Sequence, residues 1–292
     1  MHRQTAARIV AAAKLPEGAL VLEIGPGTGM LTKELLDAGM HVKAIEADHT
    51  LIDGLKERFA SEIEYGKLQI VHADIRTYDM KDYLTEVQNR SDARRGEGGE
   101  GGVLMYDERD AEAPEQSSRD DFGTSYHVVA NIPYYITGEI IRQFLTAPQQ
   151  PVSMTLMVQK EVAERIARSK KESILSLSVK VYGKPEYAFT VPRGAFLPIP
   201  NVDSAVLRIA DISKESFDTA DRETAFFILV RTGFAHKRKR LAKNLEARYT
   251  KADISAAFSS AALGENVRSE DLSLGTWMVL NRAMEPSTET EN

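Results

Sequence analysis

The sequence contains no cysteine, which excludes disulfides, thiolate metal sites and cysteine nucleophiles. Its six histidines are scattered without metal-ligand spacing, so no metal is expected. No stretch approaches the roughly eighteen consecutive apolar residues that a membrane span requires. The opening MHRQTAARIVAAAKLPEG has only a short apolar run, interrupted by Lys14, and reads as an amphipathic helix rather than a signal peptide. These absences leave a cytoplasmic, soluble protein without a membrane partner as the expectation, with a monomer as the simplest state.

What is present is ordinary in bulk and informative in arrangement. The 292 residues allow one large domain and a smaller one, and 42% hydrophobic with 27% charged content suits a globular chain. A formal net charge of −6 argues against a nucleic-acid partner until its distribution is considered. Ser91–Phe122 holds ten acidic and four basic residues, which leaves 33 of each sign elsewhere. Within that neutral remainder, Arg231, Lys237, Arg238, Lys239, Arg240, Lys243 and Arg248 face a single acid, Glu246. Local charge decides where phosphate docks, and this basic stretch is the candidate.

Strand and helix signals alternate along the first half. Strands are predicted at Ala19–Ile24, Val42–Glu46, Leu68–Ala73, Tyr126–Ala130 and Ser153–Gln159. Helices are predicted at Met30–Ala38, His49–Phe59, Gly138–Leu145 and Lys160–Arg168. Such alternation implies a doubly wound α/β fold with a mostly parallel sheet covered on both faces. Ser91–Gly123 is rich in Gly, Ser and charge and poor in apolar residues, so it reads as a flexible insertion. Beyond about Asp211 strand signals stop, and Arg222–Tyr249, Lys251–Leu263 and Ser269–Met284 read as three helices before a polar tail, Glu285–Asn292. The domain reading is 1–210, with the insertion at 91–123, followed by a small helical domain at 211–292.

Val21-Leu-Glu-Ile-Gly25-Pro-Gly27-Thr-Gly29 is a strand entering a Gly-rich turn and then a helix. Glycine lets the backbone turn sharply and lets a ligand approach without interference from Cβ. Glu23 precedes the turn, where S-adenosylmethionine enzymes typically carry an acid. Glu46 ends the next strand, within reach of a ribose diol. NAD-binding proteins share that arrangement, but the E-I-G-P-G-T-G sequence favours a methyl donor. Asp74, after the third strand, is then placed to accept from the cofactor's adenine amine; a turn residue or helix cap is the alternative.

The most specific signal follows the fourth strand, at Asn131-Ile132-Pro133-Tyr134-Tyr135. Methylating an adenine amine is hard because the N6 lone pair is delocalised into the ring. Acceptors on the N6 hydrogens favour pyramidalisation and aim the lone pair, and the Asn131 oxygen with a carbonyl at Ile132 or Pro133 suits this task. Pro133 stiffens the loop, and Tyr134 offers a surface on which an extruded base can stack.

With these residues in view, the chain resembles the ribosomal RNA adenine N6,N6-dimethyltransferase family of the KsgA type. The likeness extends to Val158-Gln-Lys-Glu-Val-Ala-Glu-Arg165, Phe196-Leu-Pro-Ile-Pro-Asn-Val-Asp-Ser204, the basic Phe226–Leu245 segment and Leu272-Ser-Leu. It covers nearly the whole chain outside the insertion. The resemblance implies a class I, Rossmann-like methyltransferase domain and S-adenosyl-L-methionine as cofactor, contacted by Gly25, Gly27, Glu46, Asp74 and Asn131. It implies a catalytic loop of Asn131, Pro133 and Tyr134, with Phe196 as a second aromatic wall for the adenine. It also implies dimethylation of two neighbouring adenosines in small-subunit ribosomal RNA during subunit biogenesis. Arg231, Lys237, Arg238, Lys239, Arg240 and Lys243 would face that RNA; Gln159, Lys160 and Arg165 either extend the surface or serve as helix caps and local pairs.

Relatives of this type carry a basic segment and a G-Q-(N/H)-F-L motif just upstream of the first helix, and Met1 falls where that motif ends. A start placed too late is the expected reason. A true loss is the alternative, and it keeps open a second function, an assembly factor that binds immature small subunits with weak or no catalysis. A DNA or transfer-RNA adenine methyltransferase and an NAD-dependent dehydrogenase are more distant readings.

Overall fold

The computed structural model describes residues 1–78 and 125–284. The acidic insertion and the polar tail expected from the sequence lie outside those residues. The first helix, α1 (Arg3–Ala13), buries Thr5, Ala6, Ile9 and Ala13 along one face and ends where Lys14 turns left-handed, with φ of 52°. There follow β1 (Leu20–Ile24), α2 (Met30–Asp37), β2 (His41–Glu46), α3 (His49–Arg58), α4 (Ala60–Glu64) and β3 (Leu68–His72). After the undescribed segment come β4 (His127–Asn131), α5 (Thr137–Thr146), β5 (Ser153–Gln159), α6 (Lys160–Ala167) and α7 (Ile174–Lys180). A hairpin, β6 (Lys184–Val191) and β7 (Ser204–Ala210), completes the sheet.

The seven strands lie in the order β3-β2-β1-β4-β5-β7-β6. The first five are parallel, and β7 runs antiparallel to both β5 and β6. β1, β4 and β5 are buried at nearly every position, as strands covered on both faces must be. Period-2 alternation splits their side chains between two cores. Val21, Val42, Val129 and Val206 join Ile9 of α1 and Leu35 of α2 on one face. Leu22, Val128, Leu156 and Leu207 lie on the other, in one cluster with Phe226, Leu245 and Trp277 of the C-terminal helices. Strand order reverses at β1, so the crevice between β1 and β4 opens at their carboxyl ends, where ligands bind in sheets of this kind.

Beyond α4 and shifts at element ends, two features depart from the sequence reading. The hairpin and α7 were not anticipated, because β6 is an edge strand with alternating exposure that carries Pro185, a residue tolerated at sheet edges. The predicted helix Arg222–Tyr249 is broken into α8 (Ala220–Gly233) and α9 (Leu241–Leu245), followed by α10 (Lys251–Ser260) and α11 (Leu274–Ala283). The break has a tertiary cause. The Gly233 carbonyl accepts from Asn244 Nδ2 at 2.5 Å and from the Ser269 hydroxyl, and Asn244 also donates to the His236 carbonyl at 3.1 Å. These side chains satisfy carbonyls that a continuing helix would have paired with its own amides.

Candidate active site at the carboxyl edge of the sheet

Five parallel strands and the start of β7 deliver the candidate residues to one edge. Gly25, Gly27 and Gly29 all take positive φ, at 66°, 59° and 77°. Their surroundings differ. A Cβ on Gly25 or Gly27 would meet nothing within 4 Å, whereas one on Gly29 would lie 2.5 Å from the Phe59 ring. The first two glycines leave backbone open to a ligand, and the third permits close packing of the loop on α3.

Glu46, at the end of β2, is 7% exposed. Its carboxylate accepts from Gly27 N–H at 3.0 Å and from Asp48 N–H at 2.9 Å, which ties the glycine loop to the next turn. Glu23, in β1, is 1% exposed, and neither of its oxygens has a hydrogen-bond partner among the described residues. Burial pushes its carboxyl up to about 8; Thr32, near it but short of hydrogen-bond geometry, opposes the rise, and the charge of Glu46 adds to it. Asp74 lies two residues beyond β3. Its carboxylate accepts from Arg76 N–H at 3.0 Å and from the Arg76 guanidinium at 2.5 to 3.1 Å, and these hydrogen bonds hold it down to about 2.

β4 ends at Asn131, which is half-buried and whose side-chain amide makes no hydrogen bond among the described residues. Pro133 leads into a 3-10 turn, Tyr134–Ile136, and its carbonyl accepts from Ile136 N–H at 3.2 Å. The Ile132 carbonyl is therefore the freer acceptor of the two considered from the sequence. Tyr134 shares a hydrogen bond of 2.7 Å with the hydroxyl of Ser204, the fully buried first residue of β7. Asn131, Ile132, Pro133, Tyr134, Phe196, Pro198 and Pro200 line one open cleft of about 260 Å³.

Phe196 reaches the cleft because the hairpin returns to the same edge, with Gln159 and Val191 both in register with Ser204. The connection is tied at its base. Arg193 N–H donates to the Asp203 carboxylate at 2.9 Å, Lys160 N–H to the Asp203 carbonyl at 3.0 Å, and His2 N–H to the Ala195 carbonyl at 3.1 Å. Pro198 and Pro200 read in the sequence only as stiffeners of a rigid loop, and Ser204 had no role there, although all three lie in the F-L-P-I-P-N-V-D-S run. A tyrosine hydroxyl in need of a partner was the only available signal for Ser204.

The basic residues are not brought together as one helical face. Lys237, Arg238 and Lys239 lie in the turn after α8, Arg240 precedes α9, and Lys243 within it pairs with Glu246 at 2.5 Å. Arg238, Lys239, Arg240 and Lys243 border a cleft of about 760 Å³ floored by Ile254, Phe258 and Leu263. Arg231 instead lines a separate cleft of about 240 Å³ with Arg142, Tyr182 and Glu223. Lys160 and Arg165 lie on α6, which Gln159 precedes without a side-chain cap. No helix among the described residues is long and apolar enough to cross a membrane. No three His, Asp or Glu side chains among them group to hold a metal ion.

Comparison with known proteins accords with this geometry. Ribosomal RNA small subunit methyltransferase A of Dehalococcoides mccartyi is 35% identical over 276 residues, covering 94% of this chain and 81% of that protein. The protein of the same name from Lactococcus lactis is 33% identical over 285 residues, covering 96% and 85%. The crystal structure of the 23S rRNA methyltransferase ErmE superposes with a TM-score of 0.67 at 25% identity, over 97% of this chain and 98% of that one. A dimethyladenosine transferase from Plasmodium falciparum shares the fold, with a TM-score of 0.70 at 23% identity over 96% and 94% of the two chains. Residues 1–284 match the description of ribosomal RNA adenine dimethylase, and the chain belongs to that family of methyltransferases.

Proposed function

We propose that this protein transfers methyl groups from S-adenosylmethionine to the N6 amine of adenine in small-subunit ribosomal RNA, forming N6,N6-dimethyladenosine. The observation that carries this reading is the shared cleft of Asn131, Tyr134 and Phe196 beside an open glycine loop. Relatives above 30% identity are named for the small subunit, which favours it over the large subunit as substrate.

The residues present fit the methyl donor. Gly25 and Gly27 leave space against the backbone, Glu46 supplies carboxylate oxygens suited to a ribose diol, and the unpaired buried Glu23 suits a site that receives positive charge. When bound, S-adenosylmethionine supplies an electrophilic methyl group. Asn131 and the Ile132 carbonyl accept the two N6 hydrogens, orient the amine and favour the pyramidal geometry in which its lone pair is available. Asp74 accepts from the cofactor's adenine amine, a role for which its half-buried, ionised carboxylate is suited. Tyr134 and Phe196 hold the extruded target base between them, and stacking of this kind is worth roughly 1–3 kcal/mol per base. Pro133 and the Tyr134–Ser204 hydrogen bond keep that wall fixed, so little ordering remains when substrate arrives. Residues 211–292 act as the RNA-binding part, with Lys237, Arg238, Lys239, Arg240 and Lys243 on phosphate and Arg231 on a flanking surface.

The test is transfer of labelled methyl groups to unmethylated small subunits, with large subunits alongside and Asn131→Ala as the comparison. Label in N6,N6-dimethyladenosine of the small subunit alone, lost in the variant, is the expected result. Binding without label would favour an assembly factor, and label in the large subunit would move the substrate.

A further inference from the structure

The connection between β6 and β7 exposes apolar side chains at its tip. Leu197 is 91% exposed, Ile199 62% and Val202 43%. The backbone bends at residues 196–198, where the Leu197–Pro198 peptide is cis. Phe196, Pro198 and Pro200 line the cleft assigned to the target base, whereas Leu197 and Ile199 are exposed beside it and take no part in its lining. The tip is also stiff. Prolines fix φ on either side of Ile199, and the Asp203 and Ala195 hydrogen bonds close its base. From Leu197 to Val202 there is no charge; exposed Arg193 stands on one shoulder, and Asp203, whose carboxylate accepts from Arg193 N–H, on the other.

An aliphatic side chain held rigidly in water, one residue from a base-binding wall, suits a particular task. An adenine drawn into the cleft leaves a gap between its former neighbours, and an apolar wedge entering that gap keeps the stack from closing again. We propose that Leu197, supported by Ile199, is such a wedge and inserts among the ribosomal RNA bases beside the target adenine. The inference rests on the proposed methyl transfer to an extruded adenine. It adds a positioning residue that acts on the RNA around the target and touches no reacting atom.

The test compares the wild type, Leu197→Ala and Leu197→Met in methyl transfer to unmethylated small subunits. The alanine variant is expected to lose about tenfold in kcat/KM, and the methionine variant, which restores an apolar wedge, to stay within about twofold of wild type. S-adenosylmethionine affinity and Tm are expected to stay at wild-type values in both variants, because Leu197 is 91% exposed. The slope of log affinity for subunits against log salt is also expected to stay unchanged, since no phosphate contact is removed. Wild-type transfer by Leu197→Ala overturns the wedge. If that variant also sediments as a smaller species than wild type, Leu197 belongs to a contact between copies of this chain. A loss that Leu197→Met fails to restore, or that comes with a shallower salt slope, overturns it too. A wild-type protein inactive on small subunits overturns the underlying methyl-transfer reading, and the wedge with it, a result distinct from failure of the variants alone.

Discussion

Asn131 ends a strand whose four preceding residues are buried, so its truncation alters chemistry more than folding. Asn131→Ala is expected to cut methyl transfer about a hundredfold or more, the scale of losing one preorganised polar group, while calorimetric cofactor affinity falls less than about tenfold. Ser204→Ala leaves the Tyr134 hydroxyl without its partner and is expected to cost on the order of 1 kcal/mol in stability. A double-mutant cycle with Tyr134→Phe, read by urea unfolding, should recover most of that loss. Glu23 gives a pH signature. The folded carboxyl keeps its proton up to about 8, while the unfolded one releases it near the ordinary value of about 4. Between those limits the folded state binds more protons, so stability declines as pH rises. Glu23→Gln is expected to flatten that decline, with its largest gain in Tm near pH 8. Asn131 and Tyr134 were legible in the sequence because they share one compact motif, whereas Phe196 read from its own neighbourhood as a core residue and gained its role only from the family resemblance. Ser204 was not legible, because its partner lies 70 residues away and neither neighbourhood announces the other.

At the scale of elements, the interruption between α8 and α9 is the sharpest case. A Cβ on Gly233 would stand 2.5 Å from the Trp277 ring and 2.9 Å from Leu241. Gly233→Ala is expected to destabilise by about 1–3 kcal/mol through overpacking, measured as a lower urea midpoint with unchanged slope. The sequence read Arg222–Tyr249 as one helix because it contains no proline and many good helix formers. What stops it is Asn244, Ser269 and Trp277, and such long-range partners leave no local trace. The parallel strands were legible for the opposite reason. Their apolar runs and the turn at Gly25 carry the information locally, whereas edge strand β6, half exposed and bearing Pro185, does not.

For the whole molecule, a net charge of −6 conceals an uneven surface. The triple variant Arg238→Ala, Lys239→Ala, Arg240→Ala is expected to weaken small-subunit binding and make its salt dependence shallower by about two to three in log–log slope. Cofactor affinity should not change, because these residues border a cleft of their own. Breaking the basic run into a turn and a short helix gathers four cations around one concavity and sends Arg231 to another. Charge counting located the run, and only the folded backbone divides it.

β6 is made before β7 yet lies outside it in the sheet, so it has no strand to pair with until β7 arrives. A nascent chain that has emerged only through β5 already holds the glycine loop and Asn131, but it lacks Phe196 and the serine that fixes Tyr134. During elongation the proposed cofactor half thus precedes the proposed adenine half. Insertion of β7 is the event that joins them, so the chain cannot grip an adenine before its sheet is finished.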